Sequence, residues 1–163
     1  MTRLLVAREI HDEVVDRLVA GLEALTMGDP ANLDTTWGPL AAPRFLDRAE
    51  NYIERAVAGG ATIATGGARP SGLEGYFLEP TLLTNVNNDM EAAQNEIFGP
   101  VFCVIPFDNL DEAVAIANDS RYGLSGSCSP PTSRPASTSH VACAPVSLSS
   151  TAHSRASQRP SGE

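Results

Sequence analysis

Residues Asn95 to Gly126 read NEIFGPVFCVIPFDNLDEAVAIANDSRYGLSG, and this stretch decides the fold. An acidic residue, a Phe and a Gly-Pro turn stand at the mouth of an apolar run, Val101 to Phe107. That run is short, rich in Val, Ile and Phe, and suits a buried strand. Asp108 or Asn109 then offers a short side-chain acceptor to cap a helix through Asn118, with Leu110, Val114 and Ala117 turned inward. A Tyr122-Gly123-Leu124 exit closes the unit. A strand that feeds a helix in this way points to an α/β layered domain.

Working outward, the preceding residues repeat the alternation. Arg3 to Ala7 suits a short buried strand. Glu9 to about Leu25 predicts a helix with Ile10, Val14, Leu18, Leu22 and Leu25 on one stripe. Asp12, Glu13 and Asp16 lie in its early turns, where the helix dipole favours acidic groups. Gly28-Asp29-Pro30 ends that helix and opens a loop through Trp37-Gly38-Pro39. A second helix is expected from Pro43 to Ala58, packed through Phe45, Ala49, Ile53 and Val57 and stopped by Gly59-Gly60. Ala61 to Thr65 reads as a strand closed by Gly66-Gly67. Tyr76 to Leu83 reads as extended, with Pro80 placing it near a sheet edge. A helical turn around Met90 to Gln94 leads back to the opening stretch.

Composition narrows the function classes. The chain has 163 residues and a net charge of −9, with Arg supplying every basic side chain. An acidic chain without a basic patch is a poor binder of nucleic acid, whose affinity comes from neutralised phosphates. No apolar run approaches the roughly 20 residues of a membrane helix, and no signal-peptide h-region is visible. A cytoplasmic protein is expected. The three cysteines, Cys103, Cys128 and Cys143, have no metal-site spacing, which argues against a zinc site or a disulfide framework. Cys103 lies between Phe102 and Val104 and reads as an inert buried thiol. His11 is expected on the polar side of its helix, and no His has a nucleophile at motif spacing.

The text changes near Ser125. From Ser127 to Glu163, Ser, Pro, Ala and Thr dominate, no apolar pattern repeats, and disorder is the physical expectation. A mucin-like stretch or a linker would have this composition, but the abrupt break in a chain without Lys favours GC-rich DNA translated in a shifted frame. Two units follow, residues 1–126 and a Ser/Pro-rich, frameshift-like tail over 127–163.

Several motifs in residues 1–126 occur in the order and spacing of one family. They are Gly28-Asp29-Pro30, Trp37-Gly38-Pro39-Leu40, Gly75-Tyr76-Phe77-Leu78-Glu79-Pro80-Thr81-Leu82, Glu96-Ile97-Phe98-Gly99-Pro100-Val101, and the run Ala115 to Leu124. Together they resemble the aldehyde dehydrogenase superfamily, with Trp37 replacing a smaller or sulfur-bearing residue. The resemblance implies a three-layer α/β catalytic domain, incomplete in this chain and followed by a disordered C-terminal tail.

The resemblance also implies chemistry. An aldehyde is oxidised to an acid through a Cys thioester, with NAD or NADP as hydride acceptor and a Glu-activated water completing hydrolysis. Glu96 would accept hydrogen bonds from the ribose beside the nicotinamide, because a carboxylate has two acceptor oxygens. Phe98, two residues on along an extended segment, would face the same way as a flat wall for the nicotinamide ring. The nucleophilic Cys is expected before Thr2, and the general base, the oxyanion-hole Asn and the dinucleotide half further upstream. Binding of the cofactor by this chain alone is therefore doubtful, and no turnover is expected. The partners implied are an aldehyde substrate and either a second copy or an intact family member. The rival readings are one piece of a split dehydrogenase, a non-catalytic interaction module, or a decayed gene product.

Overall fold

The computed structural model describes residues 3–123 and residue 126. The expected disordered tail over 127–163, with Cys128, His140, Cys143 and His153, lies outside the described residues. Strands β1 (Arg3–Ala7), β2 (Thr62–Thr65), β3 (Thr81–Thr84) and β4 (Val101–Phe107) form one sheet in the order β1-β4-β3-β2. β4 pairs in parallel with β1 on one side and with β3 on the other. β2 closes the far edge antiparallel to β3.

Side chains alternate across a strand, so each apolar run feeds two faces. Leu4, Val6, Leu82 and Val104 form a core on one face, under Val14, Val15, Leu18, Val19 and Leu22. Those five lie on helix α1 (His11–Glu23). Leu5, Leu83, Cys103 and Ile105 face the other way. There they meet helices α2 (Pro43–Ala58), α3 (Glu91–Gln94) and α4 (Leu110–Asn118). Helix, sheet and helices make the three layers that the sequence resemblance implied.

Arg3 ties β1 to the layer that contains α4. Its half-buried guanidinium donates to Asn88 Oδ1 at 2.6 Å and to the carbonyls of Ile116 at 3.0 Å and Ala117 at 3.3 Å. Those carbonyls belong to the last turn of α4, where no intrahelical donor is available. At the other end of α4, Asn109 Oδ1 accepts from Glu112 N at 2.9 Å, so Asn109 rather than Asp108 is the cap. The Glu112 carboxylate in turn accepts from Asp108 N at 2.7 Å.

Helix α2 has the expected bounds but a rotated inner face. Leu46, Ala49, Ile53 and Ala56 are buried, while Phe45 is half-buried and Val57 exposed. A pure i, i+4 row drifts about 40° per step at 3.6 residues per turn, so the row from Phe45 to Val57 winds off the core. Alternating steps of three and four stay on it. In α1, Ile10 falls in a 3-10 turn (Arg8–Ile10), whose tighter winding takes it out of phase with the Val14–Leu18–Leu22 row. In α4 the buried face centres on Ala113, with Ile116 and Ala117 beside it, and Leu110 is 71% exposed.

Pro80 does not mark an edge. β3 has a partner on each side, and Pro80 stands one residue before it, where its missing N–H breaks no ladder bond. The first donor is Thr81 N, which reaches Pro100 O at 2.7 Å. Leu83→Ala, at a fully buried site, is expected to cost about 2–5 kcal/mol in urea unfolding. Leu110→Ala is expected to stay within about 0.5 kcal/mol of the parent. Equal losses at the two positions would refute this burial pattern.

Candidate functional site

Residues 95–100 link α3 to β4, and four restraints hold this turn. Ile97 is fully buried in the core. Pro100 O accepts from Thr81 N, anchoring the turn to the start of β3. Thr81 is itself fixed, since its buried hydroxyl donates to Glu79 O at 2.8 Å and accepts from Gly67 N at 2.9 Å. Gly99 lies against α2 so closely that a Cβ there would stand 2.9 Å from Ala49 Cβ. Finally, Arg48 Nη2 donates to Glu96 O at 2.7 Å.

These restraints impose an unusual backbone. Phe98 has φ +58°, a left-handed conformation that bulky side chains rarely adopt. Such a residue costs about 1–3 kcal/mol and persists only where its surroundings over-determine it. The expected extended segment from Glu96 to Phe98 is therefore corrected: strand-like alternation does not aim the ring. The left-handed turn leaves Phe98 62% exposed, although it is a large apolar side chain. Glu96 is exposed too, and among the described residues its carboxylate enters no ion pair. A free carboxylate can accept from both hydroxyls of a vicinal diol, and an exposed ring can flank a planar heterocycle.

Two residues of this site escaped the sequence reading. Phe45, expected in the core, has its ring centroid 6.2 Å from that of Phe98, tilted by 34°. Arg48 holds its guanidinium 5.8 Å from the Phe98 ring centroid. Their signal was present as an i, i+3, i+4 set with Ala49 on one face of α2. Only the fold shows that this face meets the turn. The Tyr122 exit also returns here, through Arg121 Nη2, which donates to Asn95 Oδ1 at 2.6 Å and lies near Tyr122 Oη at 3.1 Å.

Cys103 is fully buried on β4. Burial pushes its thiol up to about 12, only partly opposed by the nearby Arg3 charge. A group in that state is protonated at neutral pH and makes a poor nucleophile. His11 is also corrected: its side chain is only 18% exposed rather than on a polar face. Its Nδ1 lies 2.8 Å from Asp12 Oδ1, and its Nε2 is buried without a partner. Among the described residues no group of three His, Cys, Asp or Glu side chains converges on a metal position.

The fold places this chain in the class of three-layer α/β domains. Comparison with known proteins then makes the class specific. The model of the aldehyde dehydrogenase family matches residues 1–140, and the chain belongs to that family. It is 43% identical over 127 residues to the betaine aldehyde dehydrogenase of Rhizobium johnstonii, covering 77% of this chain and 26% of that protein. The aldehyde dehydrogenase of Mycobacterium tuberculosis complexed with NAD+ superposes with a TM-score of 0.74 at 43% identity. That match covers 76% of this chain and 26% of the other. The NAD+ complex of the Bacillus cereus enzyme gives a TM-score of 0.72 at 43% identity, over 76% and 25% of the two chains. The chain thus spans about a quarter of the length of the relatives it matches.

Two outcomes follow from this geometry. Gly99→Ala is expected to destabilise by about 1–3 kcal/mol through overpacking against Ala49. Adding Ala49→Gly should recover part of that loss relative to the sum of the single changes, and strict additivity would show that the close approach does not matter. Cys103 has a folded pKa above its unfolded value near 9.0, so the folded state holds the proton more tightly. Its contribution is full below pH 9 and is lost as pH rises toward 12. Stability in that window should fall more steeply for the parent than for Cys103→Val, measured by urea unfolding, and parallel profiles would contradict the assignment.

Proposed function

We propose that this chain forms the nicotinamide-side part of an aldehyde dehydrogenase catalytic domain that acts on an aldehyde with NAD or NADP. One observation carries the reading. In a chain of this family, Phe98 is held exposed in a left-handed turn two residues after Glu96, whose exposed carboxylate enters no ion pair among the described residues. Glu96 accepts from the two hydroxyls of the nicotinamide ribose, and Phe98 limits the orientations open to the nicotinamide ring. The bound dinucleotide supplies the hydride acceptor.

Cys103 cannot serve as nucleophile, because it is sealed in the core as a thiol. The reactive thiolate, the general base and the Asn that stabilises the oxyanion come from sequence upstream of this segment or from another polypeptide. Alone, the chain is not catalytic. The residues after 126 belong, on this reading, to a shifted frame, and retranslation of the gene would expose family-like sequence there. A cytoplasmic location goes with the same reading. Among the described residues, no helix is long and apolar enough to cross a membrane.

A second reading rests on β1. It lies at the sheet edge, with a strand partner on one side only among the described residues, although Leu4, Leu5 and Val6 are buried. An open edge beside buried apolar side chains supports strand addition by an intact family member or a second copy. Co-purification with a full-length dehydrogenase without any gain in activity would favour an interaction module over a split enzyme.

The primary test uses the purified 163-residue chain with a short aliphatic aldehyde and NAD or NADP. No NADH or NADPH is expected to form. Turnover that disappears in Cys103→Ser would refute the reading. Glu96 and Phe98 would contact only one end of the dinucleotide, so weak saturation transfer to the nicotinamide protons of NAD is expected at millimolar concentration, weaker still in Glu96→Gln and lost in Phe98→Ala. An unchanged signal in both variants would rule out the cofactor role.

A further inference from the structure

Phe45, Arg48 and Ala49 lie on one face of α2, three and four residues apart, and all three touch the turn that carries Glu96 and Phe98. Their contributions differ. Ala49 offers a close-packed floor under Gly99, and Phe45 offers a tilted ring beside Phe98. Arg48 alone makes a directed bond, from Nη2 to Glu96 O at 2.7 Å, and it also lies over the Phe98 ring. A planar guanidinium can donate in its plane while its face covers an aromatic ring, which an ammonium cannot do in the same way. One side chain therefore grips the turn on both sides of Ile97.

That grip falls where the backbone is least self-sufficient. Phe98 sits at φ +58°, and its ring has little burial to hold it. Glu96, two residues earlier, has an exposed side chain and a carbonyl bonded to α2 only through Arg48. Arg48 also reaches the Tyr52 ring, 5.6 Å from its centroid, which braces the guanidinium along the helix. Arg44, one turn earlier, lies over Phe45 at 4.6 Å and, among the described residues, makes no hydrogen bond or cation–π contact with the turn.

We propose that Arg48 is a positioning residue. By tying the Glu96 carbonyl to α2 and covering the Phe98 ring, it maintains the left-handed turn and fixes the Glu96 carboxylate relative to the Phe98 ring. The purpose of that alignment, recognition of a nicotinamide riboside, rests on the function proposed above. The grip itself does not, and it can be tested without ligand.

The experiment labels the full chain with 4-fluorophenylalanine and follows the Phe98 fluorine resonance, assigned by its loss in Phe98→Leu. The parent is expected to give one narrow line displaced from its position in the urea-unfolded chain. In Arg48→Ala that line is expected to move toward the unfolded position or broaden, with the thermal midpoint within a few degrees of the parent. Arg48→Lys, which keeps the charge and a donor, should recover part of the displacement. Arg44→Ala should leave the Phe98 line in place. An unchanged line in Arg48→Ala, or an equal change in Arg44→Ala, overturns the proposal. If Arg48→Ala does not fold, Arg48→Lys decides, because a line identical to the parent's would show that the guanidinium is not required.

The same samples are then titrated with nicotinamide mononucleotide. Loss of one directed hydrogen bond should weaken binding about three- to tenfold in Arg48→Ala, with Arg48→Lys between. Equal affinity in Arg48→Ala and the parent would overturn the link between the grip and recognition. If the parent line does not respond to the mononucleotide, the cofactor reading of Glu96 and Phe98 fails, while the ligand-free spectra still decide the role of Arg48.

Discussion

Everything in this domain is referenced to β4, because it is bonded on both edges and covered on both faces. Val101 to Phe107 pairs in parallel with β1 and β3. Val104 enters one core while Cys103 and Ile105 enter the other. A strand confined in this way cannot slip by one residue without turning each apolar set to the wrong layer. The register of β4 therefore fixes the place where residues 95–100 emerge at its mouth. It also sets the height at which α2 must cross, since Gly99 and Ala49 permit little separation.

The same confinement gives two neighbouring segments opposite characters. Within β4, Cys103 is desolvated and protonated, a core side chain despite its reactive element. Five residues earlier, Phe98 is forced outward by a left-handed turn, an apolar side chain in water. Hydrophobicity alone agrees with the burial of Cys103 but would have buried Phe98 as well. Backbone geometry at the strand mouth outweighs the cost of leaving one ring exposed, and that strained, exposed residue is what motivates the cofactor role proposed for the turn.

The alternation of elements was legible because apolar periodicity and capping residues are local signals. β4, α2 and the Asn109 cap follow from runs, spacing and one short side chain. Helix faces were less legible. The Phe45–Val57 row and Ile10 depart from the expected stripes because an i, i+4 row drifts around the helix and a 3-10 turn winds more tightly. Leu110 is exposed at the first position of α4, and the buried face of that helix falls on Ala113, Ile116 and Ala117 instead. Glu96 and Phe98 are singled out by motif order, as residues that the family resemblance assigns to the cofactor, whereas the Arg48 bond joins a side chain to a backbone carbonyl 48 residues away. No local pattern encodes that distance.

The sequence by itself determined the family, the three-layer class and the residues that occupy the strand mouth, because these depend on order and short-range spacing. Only the tertiary structure decided how those residues are used. Phe98 is left-handed and exposed where α2 closely approaches the turn, and the Arg48 guanidinium of that helix bonds the Glu96 carbonyl. Each of these outcomes depends on which surfaces meet, and that is settled by packing across the sheet rather than along the chain.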